Sequence, residues 1–172
     1  MGISLRARTP EGGTRPWTLR EVVQGKPLGH PSHPMFVHFP VAFFLGALAL
    51  DVLSLLGRFP AAPLAATWAL VGGFLGLVPT VLTGLVDWWG MVPGSRKRRW
   101  ATRHALVQTA ASALFLAALL VRYGGRGRAE AEPAWIALEA VGAAVLVVGQ
   151  WLGGVLVYGM AMRVSTGRSG TD

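Results

Sequence analysis

Four apolar runs, each about twenty residues long and parted by short polar breaks, leave this chain few ways to fold. In hydrocarbon every backbone amide and carbonyl must find its partner within the protein, so such runs cross a bilayer as helices. The stretch from Met35 to Leu56 is almost wholly apolar. At about 1.5 Å per residue it covers a hydrocarbon core of roughly 30 Å. Residues 64–87, 101–121 and 134–160 supply three further spans, split by Gly57-Arg58-Phe59-Pro60, by Pro93-Gly94-Ser95-Arg96 and by Arg122-Tyr123-Gly124-Gly125. Short connections make neighbouring helices antiparallel, so the expected fold is an all-α, integral membrane four-helix up-down bundle.

Composition agrees: 52% of the residues are hydrophobic and 14% charged, too apolar for a soluble domain. The net charge of +8 does not point to nucleic acid. The basic residues sit in loops and tails beside the apolar runs, where they set topology, rather than along one face of a helix. Arg96, Lys97, Arg98, Arg99 and Arg103 follow the second span, and the tails add Arg15, Arg20, Lys26, Arg163 and Arg168. The other two turns hold Arg58, Arg122, Arg126 and Arg128. This asymmetry places both termini in the cytoplasm and the chain in a bacterial cytoplasmic (inner) membrane.

Residues 1–28 read as a polar tail, loose over residues 1–16, with a short interfacial helix near Trp17 to Val23. Residues 29–162 form the transmembrane domain and 163–172 a polar C-terminal tail. The first 34 residues lack the apolar core and cleavage site of a secretory signal, so the N-terminus is expected to remain in the mature protein. Cysteine is absent, which excludes thiolate metal sites, cysteine-held iron–sulfur clusters and covalent c-type haem.

Three of the four histidines, His30, His33 and His38, fall where the first span begins. Imidazole is a common metal ligand and titrates near neutral pH; histidine and proline also suit the interface ahead of a helix, where they cap free backbone groups. The up-down topology puts the start of span one, the end of span two and the start of span three at one membrane face. With helices beginning near Met35 and Ala101, His38 and His104 lie at similar depth, and Asp87 is placed to orient one ring. Trp88, Trp89 and Trp100 surround the same level as an interfacial belt.

The stretch Gly84-Leu85-Val86-Asp87-Trp88-Trp89-Gly90-Met91 is weakly repeated as Gly154-Val155-Leu156-Val157-Tyr158-Gly159-Met160, with one residue fewer. This suggests two parallel hairpins related by an axis normal to the membrane, with His38 and His104 as counterparts. Small residues recur every fourth position at Gly72, Gly76, Thr80 and Gly84, and at Ala101, Ala105, Thr109, Ala113 and Ala117, as in closely packed helices. Asp51 and Glu139 lie near the opposite face at similar depth. They can share a proton, pair with Arg58 or Arg122, or reach interfacial water.

The segment His30-Pro31-Ser32-His33-Pro34-Met35-Phe36-Val37-His38-Phe39-Pro40, with Thr83-Gly84-Leu85-Val86-Asp87-Trp88, Arg103-His104 and Trp151 through Gly159, resembles a bacterial four-helix membrane family, DUF2231. The resemblance covers about residues 28–160. It implies a redox-associated module, since relatives are joined to Rieske or cytochrome c domains, and its motif positions are His30, His33, His38, Asp87, His104 and Tyr158.

Three functional readings follow. One is a module of electron transfer that binds b-type haem between His38 and His104, served by a redox partner protein or quinone. The second is a metal site drawn from His30, His33, His38, His104 and Asp87. The third is a non-catalytic scaffold, or a lipid- or quinone-binding subunit, in a larger membrane complex or homo-oligomer. No nucleophile motif or phosphate-binding glycine loop is present, so a stand-alone enzyme is not expected.

Overall fold

Proline and serine set where each helix starts. In the computed structural model, which describes residues 6–9, 12–125 and 127–162, a short helix α1 (Leu19–Val23) precedes four long ones. These are α2 (Ser32–Ser54), α3 (Ala62–Trp89), α4 (Arg96–Val121) and α5 (Pro133–Gly154). Pro31 caps α2 in an extended conformation, Pro63 and Pro133 sit in the first turns of α3 and α5, and the Ser95 hydroxyl accepts from the Arg98 amide at the head of α4. All four are long and apolar enough to cross a membrane.

Two starts differ from the sequence reading. Helix α2 begins at Ser32 rather than Met35, which puts His33 in its first turn and leaves Pro40 inside the helix. Helix α4 begins at Arg96 rather than Ala101, because Ser95 caps a basic first turn that hydropathy alone reads as loop. At the far end, α5 passes into a single π turn (Val155–Gly159).

The N-terminal region is more ordered than a loose tail. Strands β1 (Ala7–Arg8) and β2 (Thr14–Arg15) pair antiparallel, and Thr18 and Glu21 form a capping box on α1. Arg15, then the Thr18 amide, hold the Glu21 carboxyl well below the usual carboxylate range. Gly25 has φ +76°, and the His30 carbonyl occupies the space where its Cβ would stand, so this turn requires glycine to seat the histidine segment. Residues 1–5, 10–11, 126 and 163–172, including Arg126 and the C-terminal tail with Arg163 and Arg168, lie outside the described residues.

Helix α2 packs chiefly on α3 and α4 on α5, with α2–α5 and α3–α4 completing a square. The glycine stripe of α3 does face α2: Gly72 lies against Phe43, Gly76 against Phe39 and Gly84 against His33. The alanine stripe of α4 does not face its partner. Ala105, Thr109 and Ala113 are exposed, and of the stripe Ala101 alone joins Ala111, Phe115 and Ala118 on the buried face. Close approach there comes from α5, whose Gly142 and Gly153 meet Phe115 and His104. Across the diagonal, Phe44 stacks on Phe115 with ring centroids 4.5 Å apart and planes 11° apart. Large apolar side chains such as Trp68, Leu75 and Leu82 point outward, as a lipid-facing surface requires.

The bundle is two copies of one hairpin. A single shift along the sequence carries His33 to His104, Phe44 to Phe115, Ala47 to Ala118 and Asp51 to Arg122. A second shift carries Leu70 to Glu139, Gly73 to Gly142, Thr80 to Gly149 and Gly84 to Gly153. Contacts repeat with them, since Gly73 packs on Phe44 as Gly142 packs on Phe115. The repeat expected from the sequence is therefore real, continuous within each helix but with a shorter connection in the second copy, and the counterpart of His104 is His33.

Candidate functional site

Polar side chains gather at the two ends of the bundle. At the first end, the His33 Nδ1 lies 2.9 Å from the Thr80 carbonyl oxygen and 3.4 Å from the Thr83 hydroxyl. In the second hairpin the His104 Nδ1 lies 2.8 Å from the Gly149 carbonyl oxygen. A carbonyl only accepts, so each ring donates from Nδ1–H and keeps a lone pair on Nε2. Both rings are half-buried. Gly84 and Gly153 make room for them: a Cβ would stand 2.9 Å from the His33 ring and 3.2 Å from the His104 ring.

The other predicted ligands do not join this pair. His30 is exposed in the connection before α2. His38 is also exposed and lines a shallow apolar depression with Phe39, Ala42 and Phe43, so it does not stand opposite His104. The reason is helical phase: the inward positions of α2 are Ser32, Pro40, Phe44 and Ala47, and His38 falls off that face. Among the described residues no group of three or more His, Asp or Glu side chains is placed to hold a metal ion. Tyr158 points outward in the π turn. Trp88 donates to the Thr102 hydroxyl at 2.9 Å and carries the Arg98 guanidinium 4.0 Å above its ring, tying α3 to α4 at this level. Between the imidazoles and the Phe44–Phe115 stack, the Gln108 Oε1 is buried against Gly149 without a hydrogen-bond partner.

The second end holds a charge cluster. Asp51 Oδ2 and Glu139 Oε1 both accept from Nη2 of Arg122, which lies in a 3-10 turn directly after α4. Its Nη1 reaches the Thr67 hydroxyl at 3.3 Å and the Pro63 carbonyl at 3.4 Å, and the guanidinium sits 4.8 Å over the Trp135 ring. Asp51, Arg122 and Glu139 are all fully buried. Of the alternatives open to these carboxylates, the structure selects Arg122; Arg58 is exposed, and neither acid reaches interfacial water. The Ser54 hydroxyl donates to the Asp51 carbonyl at 2.6 Å and accepts from the Ala131 amide at 2.9 Å, fastening the α4–α5 connection onto α2.

Sequence reasoning missed Trp135, the Thr80 and Gly149 carbonyls and the inward turn of His33. The gap-free alignment of α2 with α4, which sets His33 against His104, was the signal that could have found the last of these.

A family model described as a predicted membrane protein matches residues 29–166, about four-fifths of the chain by that range. No curated protein and no solved structure matches.

Proposed function

The chain belongs to that family, DUF2231, and from this premise we propose that it is a small integral membrane module of electron transfer in which His33 and His104 together hold a b-type haem. One observation carries the reading: the two hairpins each present an imidazole whose Nδ1 is fixed on a backbone carbonyl of the partner helix. That bond sets the tautomer and leaves Nε2 to coordinate, as when a backbone carbonyl accepts the free ring N–H of a metal-bound histidine. A bound haem would supply a one-electron couple.

The chain's own residues do the rest. The Thr80 and Gly149 carbonyls orient the rings, Gly84 and Gly153 leave them space, and the unpartnered Gln108 Oε1 offers an acceptor below them. Arg96, Lys97, Arg98, Arg99 and Arg103 lie at the same end and suit the carboxylates of such a group or anionic headgroups. The same basic residues support a bacterial cytoplasmic membrane location with both termini inside. A redox protein or quinone is the electron partner in this reading.

The test is an absorption spectrum, oxidised and dithionite-reduced, of detergent-purified protein expressed with ample haem supply. A Soret band with sharp reduced bands, lost in H33A and in H104A and kept in H38A, is expected. A colourless protein carrying stoichiometric metal would replace this reading with a His/Asp metal site. Neither haem nor metal, with a stable partner in a gentle extract, would leave a scaffold or lipid- or quinone-binding subunit.

A further inference from the structure

The cluster at the opposite end contains two carboxyls and one guanidinium, all three fully buried. Both acids converge on the same nitrogen of Arg122, which brings their carboxyls together. Each also keeps one oxygen, Asp51 Oδ1 and Glu139 Oε2, buried with no partner. Fully ionised, the cluster would carry one uncompensated negative charge in the protein interior, where such a charge is expensive. A single proton removes the excess. Placed between the two acids, it also provides the donor that their oxygens lack.

We propose that Asp51, Glu139 and Arg122 form a proton-binding site, in which one exchangeable proton is shared by the two carboxyls and the cluster is neutral. The surroundings support this at every side. Helix α2 adds Ser54, α3 adds Thr67 and the Pro63 carbonyl, and α5 adds the Trp135 ring. The charges that act on the two acids are Arg122 and each other. Release of the proton would leave a net carboxylate where α2, α4 and α5 meet, so the site links the packing of that end to proton uptake. This inference is independent of any group held by the histidines.

Infrared spectroscopy of the full chain in lipid bilayers, equilibrated at neutral pH in H2O and in D2O, tests it. The expected result is a carbonyl stretch of a protonated carboxylic acid that moves to lower frequency in D2O. Either D51N or E139Q should abolish the band, because each leaves one acid paired with Arg122 and nothing to protonate. Asp87 is the remaining acid buried among the described residues, so D87N should keep it. No such band in the unaltered protein, a band that survives both D51N and E139Q, or one lost in D87N would overturn the proposal. Should D51N and E139Q fail to fold, the unaltered protein and D87N still decide it.

Discussion

The two ends of the bundle are built from the same repeat and use it in opposite ways. At one end the copies agree: His33 and His104 hold equivalent positions, and each ring rests on a glycine and a carbonyl of its own hairpin. At the other end they disagree: aspartate in the first copy is arginine in the second, and Leu70 is matched by Glu139. A pair of neutral donors benefits from symmetry because both do the same task. Buried charge cannot tolerate it, since equal positions would bring equal charges together. The difference teaches that symmetry persists in this chain where a ligand site would use it and is lost where electrostatics forbids it.

That comparison is most sharply broken at Arg122. R122L strands two buried carboxyls and should cost about 3–5 kcal/mol of stability, read by denaturant titration in detergent with circular dichroism. The exchange D51R/R122D keeps both signs across the axis and should recover part of that loss; no recovery would mean that shape, not charge, governs this end. At the histidine end, H33A and H104A should each cost only about 1 kcal/mol while removing the whole haem spectrum. Equal stability loss at both ends would erase the contrast.

Smaller effects test how alike the two histidine sites are. G84A and G153A force a methyl towards an imidazole, with costs of about 1–3 kcal/mol and the larger one at Gly84, where the approach is closer. Reduced-minus-oxidised spectra should shift in the same order. The smallest effect belongs to the region outside both ends. Because Arg15, then the Thr18 amide, hold the Glu21 carboxyl below its ordinary range, its stabilisation of α1 is present above the usual carboxylate range. It is lost only when pH falls through the depressed value. Susceptibility of α1 to proteolysis should stay flat from neutral pH to about 4 and rise in E21Q at all of these pH values, with neither end of the bundle altered.

Much of this was written in the residues and some was not. Length and apolarity located four spans, because hydrocarbon admits no other solution for such runs. They could not locate the helix starts at Ser32 and Arg96, where polar and basic first turns are held by Pro31 and Ser95 rather than by burial. The earlier start of α2 brings His33 into the helix, while His38 points outward because the inward face of α2 runs through Pro40, Phe44 and Ala47. Shared depth brought Asp51 and Glu139 together on paper, yet choosing Arg122 over Arg58 needed the register of the repeat. The α4 alanine stripe misled because a small-residue period marks close packing only when the neighbouring helix lies on that side, and here the glycines of α5 do that work.

The pairing of Asp51 with Arg122 also excludes an exact repeat. Two identical hairpins associating as separate chains would place the same side chain twice at this position, either two acids or two guanidiniums. An ion pair between equivalent positions requires two halves that differ in sequence there, as Asp51 and Arg122 do. The salt bridge therefore makes this end of the bundle depend on the two halves being unlike, so that neither hairpin could be replaced by a copy of the other without losing it.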